Sequence, residues 1–354
     1  MPLISPRGSA LIKRILIVGH GSMGKRHLRL ARGLLPNADI RVLRHQVTGE
    51  VPEFSNGCFF SIEEAITFAP QIAVIANPAP FHIATAQALA NVGVNLLIEK
   101  PLSDSLDGVR QLLKTCKKNN IVLLTGYNLR FLPSLQCFRD LLGEGVIGKV
   151  LSVRCEIGQY LPSWRPDCDY QKTVSARREW GGGALLELSH EIDYLRWIFG
   201  EAVWVNATLS RQSRLEIDVE DTAHLVIGFA PDNGGHQLIA SVNMDFIRHD
   251  TTRLCYAIGE KGSLRWDGLN GEVELFEAGA KAWRSLYSVP QQRDDSYLAG
   301  WTNFIESISR NKLPLVSGED GLRVLEIIDA ARQSAESGGR ARVAAAINVS
   351  ISQL

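Results

Sequence analysis

Residues 15–24, ILIVGHGSMG, constrain the fold of this chain more than any other stretch. Apolar residues 15–18 run into Gly19, His20, Gly21, Ser22, Met23 and Gly24, and a helix-forming segment follows. A GxGxxG means little alone, but between a strand and a helix it marks a strand–turn–helix that cradles phosphate. Gly19 permits the tight turn, Gly21 lets a pyrophosphate approach the backbone, and Gly24 lets helix and strand pack closely. Ser22 and Met23 open the helix, whose N-terminus faces the phosphates. A glycine-rich turn without a ligand is the plainer alternative, and the flanking elements weigh against it.

Four more apolar runs follow: DIRVL (39–43), IAVIA (72–76), VNLLI (94–98) and IVLLT (121–125). Runs of this kind belong to strands covered on both faces, as in a parallel sheet. Helix signals separate them. Ser61 and Glu64 have capping-box spacing, and Gly33 and Gly93 stand where helix C-caps belong. The reading is a Rossmann-type, doubly wound α/β domain over residues 1–125, with 94–98 as its fourth strand.

Beyond about residue 150 the runs lengthen and alternate, as in KVLSVRCEIG, AVWVNATLS, DTAHLVIGF, QLIASVNMDF and RLCYAIGEKGSLRW. Turn signals PDNGG (231–235) and GEKG (259–262) divide them. This predicts an α+β domain over residues 126–354, built on an antiparallel sheet with one buried face. Near the end, SGEDGLRVLEIIDAAR has a good N-cap. It predicts a helix over 318–335 that packs back on the first domain.

Composition narrows the function. Lys plus Arg and Asp plus Glu each number 38, so no global field favours nucleic acid or an anionic membrane. No apolar run approaches the roughly 20 residues of a membrane span. The start, MPLISPRGSALIKR, reads as a short tail rather than a signal peptide. Six scattered cysteines with no CxxC pair point to reduced thiols in a cytoplasmic protein, with no metal site.

The residue that reads the cofactor's 2′ position stands about 20 residues past the glycines. There the strand 39–43 ends at Leu43 and Arg44 instead of a carboxylate. An arginine fork suits a 2′-phosphate, so NADP is expected and NAD is the alternative. A solvated loop arginine is the bland reading. The run 96–104, LLIEKPLSD, sets Glu99, Lys100 and Pro101 at a strand's carboxyl end, where open parallel sheets bind ligands. Proline fixes the local backbone, and a lysine beside a nicotinamide can polarise or protonate a substrate oxygen.

At this point the chain resembles the glucose–fructose oxidoreductase/inositol 2-dehydrogenase (Gfo/Idh/MocA) family. The resemblance lies in GHGSMGKRH (19–27), IANPAPFHIATA (75–86), EKP (99–101) and GGGALLELSHEID (181–193). It implies that Lys100 is catalytic, and that Asn77, Pro78, His82 and Glu99 line the cofactor crevice. It also implies a C-terminal domain with a large open, mainly antiparallel sheet that binds substrate and joins copies into homodimers or homotetramers. The implied reaction is hydride transfer between nicotinamide and a hydroxyl or keto carbon of a sugar, sugar nucleotide or cyclitol. Asn77-Pro78 is also an ordinary turn dipeptide.

Within residues 181–200, Leu185, Leu188, Ile192, Leu195 and Phe199 form the buried stripe of an amphipathic helix, and the glycines at 181–183 offer close backbone approach or a hinge. At roughly 100° per residue, Glu187, His190 and Tyr194 then share a face within roughly 60°. Asp193 lies further round. Histidine is the natural proton-transfer group near neutral pH, so His190 or Lys100 exchanges the hydroxyl proton and the other polarises the oxygen. The family commonly places an aspartate four residues before this histidine; here glutamate stands three before it. Glu187 takes the aspartate's role, or Asp193 or Tyr194 does. Tyr127, Arg130, Trp164, Arg165 and Tyr194 are the candidates for holding substrate, with Arg177 and Arg178 nearby in a ring-rich loop. A structural loop is the alternative. Two other functions remain open: a cofactor-binding regulator without chemistry, and a lyase or glycosidase that uses tightly held NAD for transient oxidation.

Overall fold

The computed structural model describes residues 12–45 and 50–344. The reading of the N-terminal tail falls mostly outside them. The chain divides into two units, one running to Tyr127 and including Tyr297–Leu322, the other made of Asn128–Ser296 and the residues from Arg323 onward. The segment that rejoins the first unit is therefore 297–322. Most of the predicted helix 318–335 belongs to the second.

The first unit is built on β1 (Arg14–Val18), β2 (Asp39–Leu43), β3 (Gly57–Phe59), β4 (Ile72–Ile75), β5 (Asn95–Ile98) and β6 (Leu123–Thr125). They form one parallel sheet in the order β3-β2-β1-β4-β5-β6. Ile15–Ile17 and Ile72–Ile75 are fully buried, because helices cover both faces. Those helices are α1 (Ser22–Leu34), α2 (Ile62–Thr67), α3 (His82–Asn91) and α4 (Val109–Lys118). The short β3 is missing from the sequence reading, so the strand before Glu99 is the fifth, not the fourth. The capping box at Ser61 and Glu64 forms as expected. Gly93 adopts φ +83° just past α3, as a C-cap glycine should. Gly33 does not cap: α1 runs through it and ends at Leu35, whose N–H donates to Ala31. The returning segment lies along the sheet edge, where Thr125 N–H donates to Val316 O and Thr125 Oγ1 to Ser317 O.

The second unit carries a nine-stranded sheet. Its strands are β7 (Val150–Gly158), β8 (Ala202–Ser210), β9 (Thr222–Phe229), β10 (Ile239–Asp245), β11 (Thr252–Gly259), β12 (Gly262–Asp267), β13 (Glu272–Glu277), β14 (Arg284–Ser288) and β15 (Ala341–Arg342). Their order is β14-β13-β12-β11-β7-β10-β9-β8-β15. Only β7 and β10 pair in parallel. Alternation sets one inward face, including Cys155, Val205, Leu225, Val242, Cys255 and Trp266. Val205, Leu225 and Val242 each contribute ~1.5–3 kcal/mol on burial. Helix α5 (Pro133–Gly143) packs against β12 and β13, and Trp266 Nε1 donates to Ser134 Oγ on it. The remaining helices are α6 (Ala184–Glu187), α7 (His190–Phe199), α8 (Asp295–Arg310) and α9 (Gly318–Ser337). The sequence reading passed over β13, β14 and β15.

Candidate active site

The glycine turn after β1 has the geometry its spacing demands. Gly19 adopts φ +89°, and a Cβ there would sit 2.8 Å from Asn77 N. A Cβ on Gly24 would collide with the Gly19 carbonyl. Gly21 is different: nothing lies within 4 Å of where its Cβ would be. It is the N-cap of α1, with no side-chain cap and no acidic residue in the first turn. The first-turn N–H groups of a helix lack intrahelical acceptors and attract an anion. The turn thus combines two tight contacts with one open approach.

A cavity of about 640 Å³ adjoins this turn, lined by His20, Ser22, Lys25, Arg26, Arg29 and Arg44, with residues 50–54 opposite. Arg44 Nη2 donates to Glu50 O at 2.6 Å, which fixes the guanidinium at the rim. Burial, then the charges of Lys25 and Arg44, lower the proton affinity of the His20 ring. The wall from α1 and β2 is a concentration of positive charge, and Glu50 and Glu53 on the other side offset part of it.

At the ends of β4 and β5 the remaining cofactor candidates gather. Asn77 Oδ1 is buried with no hydrogen-bond partner, a costly arrangement unless a ligand donates to it. His82 is buried, with Nε2 2.7 Å from Asn77 O and Nδ1 3.1 Å from Pro101 O. Both ring nitrogens face carbonyl oxygens and burial lowers the ring's proton affinity, so the neutral ring donates to one of the two. Glu99 is buried too. Its Oε1 lies 2.7 Å from His27 Nε2, and its Oε2 accepts the N–H of Lys100 at 3.1 Å. Burial works against its ionisation, but the His27 bond and the Lys100 charge prevail and hold the carboxyl below its ordinary range. Lys100 precedes a cis proline and is half-buried. Tyr127 is wholly buried.

In the second unit the helix expected through Leu185–Phe199 is two helices. Gly181 and Gly183 have φ of +78° and +107°, so helix begins only at Ala184. It breaks again at Leu188, where buried Ser189 turns its Oγ onto Leu186 O. Serine bonding back to the backbone competes with helix in this way. Glu187 and His190 therefore sit on separate short helices. Glu187 accepts from Ser175 Oγ at 2.9 Å. His190 is the first residue of α7 and half-buried. Asp193 is buried in a two-bond ion pair with Arg130, Nη2–Oδ1 being 2.6 Å and Nε–Oδ2 2.9 Å. The side chains of Arg130 and Asp193 are 2% and 1% exposed. Tyr194 is buried, its hydroxyl 2.9 Å from Cys155 Sγ, and burial pushes its phenol well above the ordinary range. Trp164 donates to Gln159 O and packs edge-on against Phe246, and Arg165 is exposed beside it. Arg177 and Arg178 are tied within their own unit to Gln171 O and Asp218.

Residues 13–127 match the model described as an oxidoreductase family, NAD-binding Rossmann fold, and residues 139–344 match the family's C-terminal alpha/beta domain. The chain belongs to the Gfo/Idh/MocA oxidoreductase family. Myo-inositol 2-dehydrogenase of Thermotoga maritima is 28% identical over 265 residues, covering 72% of this chain and 74% of that protein. Two solved structures share the fold. A levoglucosan dehydrogenase in complex with NADH and levoglucosan has a TM-score of 0.81 at 23% identity, over 94% of this chain and 99% of its own. The WlbA dehydrogenase from Bordetella pertussis in complex with NADH and UDP-GlcNAcA has a TM-score of 0.76 at 21% identity, over 94% and 98%.

In this Gfo/Idh/MocA oxidoreductase the residues present fit a dinucleotide: an open approach at Gly21, a partnerless acceptor on Asn77, and a cationic cavity. Sequence reasoning missed His27, Trp301, Lys25, Arg26 and Arg29. His27 lies within the quoted GHGSMGKRH, three residues past its last glycine, and that spacing was a usable signal. The position of Trp301 comes from a segment far along the chain and had none. Among the described residues no group of His, Cys, Asp and Glu could hold a metal ion, and no helix is long and apolar enough to cross a membrane.

Proposed function

We propose that this protein is an NADP-preferring dehydrogenase acting on a hydroxyl or keto carbon of a sugar, sugar nucleotide or cyclitol. The observation that carries the cofactor reading is the cavity beside Gly21, where Lys25, Arg26, Arg29 and Arg44 converge and β2 ends without a carboxylate. Gly19, Gly21, Ser22, Met23 and Gly24 hold the pyrophosphate, and Arg44 faces the 2′-phosphate. Asn77 accepts from the nicotinamide half, and Pro78 shapes its loop. Bound there, nicotinamide supplies a hydride acceptor or donor.

One of Lys100 and His190 exchanges the hydroxyl proton and the other polarises the oxygen. Glu187 orients the site from α6. Asp193 and Arg130 support α7 through their ion pair, and Trp164 and Arg165 face the substrate. The names of the relatives favour a polyhydroxylated ring: an inositol, an anhydrosugar or a sugar nucleotide. The outer sheet face exposes Val226 and Ile239 at 40% and 43%, which supports association of copies into a homodimer or homotetramer through that face. The free cysteines support a cytoplasmic setting.

The test is a panel of cyclitols, anhydrosugars and sugar nucleotides with NAD and NADP, followed at the nicotinamide absorbance. Turnover with at least one ring substrate, faster with NADP, is expected. Arg44→Ala should weaken NADP by about tenfold and NAD by much less, as loss of a charge-assisted fork implies. Equal losses would remove the cofactor preference.

A further inference from the structure

We infer that His27 is a positioning residue for Lys100, acting through the Glu99 carboxylate. This rests on the role of Lys100 at the substrate hydroxyl proposed above.

His27 stands on α1 and is 2% exposed. Both ring nitrogens are engaged: Nδ1 lies 3.0 Å from Trp301 Nε1, and Nε2 lies 2.7 Å from Glu99 Oε1. An indole nitrogen only donates. His27 Nδ1 is therefore the acceptor, and the ring proton is on Nε2, donated to Glu99. A second proton on Nδ1 would point at the indole hydrogen. The tautomer is set by geometry alone.

Glu99 passes this order on. One oxygen is anchored by His27, and the other accepts the backbone N–H of Lys100. The carboxylate has little room to swing, because Gly126 packs so closely that a Cβ there would lie 3.0 Å from both Glu99 Cα and Oε2. Tyr297 closes the far side of the imidazole edge-on at 6.1 Å, with the Arg26 guanidinium 4.6 Å over its own ring. Downstream of the lysine, His82 reaches Pro101 O. Lys100 is thus held through Glu99 by a buried imidazole on α1. The helix that opens the phosphate turn is the one that fixes the lysine. A rigid shell of this kind keeps a reacting group in register, where a misplacement of about 1 Å can cost roughly 100-fold in rate.

The variants are His27→Phe, His27→Gln and Trp301→Phe. Each is read by turnover with the fastest panel sugar, NADPH affinity from fluorescence, melting temperature, and hydrogen exchange of the peptide 96–104. His27→Phe should lower kcat by about tenfold or more, leave NADPH affinity within about twofold, and speed amide exchange at 99–102. His27→Gln keeps a donor for Glu99 and should recover most of kcat. Unchanged kcat and exchange, or a loss that follows melting temperature and is not rescued by glutamine, overturns the inference. If His27→Phe does not fold, Trp301→Phe decides by the same two readouts, with a smaller loss expected. Lys100→Ala is assayed alongside. Normal turnover in it would sink the role proposed for Lys100 alone, while exchange at 96–104 still reports whether His27 holds the strand end.

Discussion

Asp193 and Arg130 show how a buried pair differs from a reactive one. Two charge-assisted bonds join them out of water. Asp193→Ala removes the carboxylate that pairs with the buried Arg130 guanidinium, so the second unit should lose ~3–5 kcal/mol in denaturant unfolding. A loss under ~1 kcal/mol would mean that water reaches the arginine. Glu99 makes a pH-dependent counterpart. Its carboxyl is held below its ordinary value of 4.5 in the folded chain. The stability it contributes is complete above that value and is lost as pH falls through the lower folded value. Glu99→Gln should therefore flatten the acid limb of a melting-temperature profile. A limb as steep as the wild type's would show that other carboxylates govern it.

At the scale of elements, the glycine turn separates packing from ligand contact. Gly24→Ala forces a methyl into the Gly19 carbonyl, so melting temperature and cofactor affinity should fall together, by the ~1–3 kcal/mol typical of overpacking. Gly21→Ala meets open space at an ordinary φ of −73°. Its melting temperature should hold while dinucleotide affinity drops by about tenfold. If Gly21→Ala binds cofactor normally, the phosphates lie elsewhere. This turn was legible because three glycines, a strand and a helix all carry the same local instruction. The helix through Leu185–Phe199 was not. Its apolar stripe is real, and Leu185, Leu188, Ile192 and Leu195 are all buried. Yet Glu191, Asp193 and Tyr194 are buried as well, so periodicity could not reveal an open face. The break at Ser189 depends on one hydroxyl choosing a carbonyl over water. β13 alternates legibly in EVELFE but is short and glutamate-rich, so it reads as surface.

For the whole molecule, the two-part architecture followed from the change in run length near residue 150. The routing did not, because Tyr297–Leu322 rejoins the first unit through contacts that no local signal encodes. Trp301 reaches His27 across 274 residues of sequence, and only the folded chain brings the indole to the imidazole. The functional account assembles elements of the same kind: a phosphate turn, a cationic cavity and a lysine fixed at a strand end. Its central claim is that Lys100 does chemistry on a substrate oxygen. The direct measurement is nicotinamide absorbance with the fastest panel sugar for wild type and Lys100→Ala at saturating NADP. The account expects kcat to fall by about 1,000-fold with NADPH affinity nearly unchanged, in line with loss of a positioned acid–base group. Turnover of Lys100→Ala at the wild-type rate would contradict it.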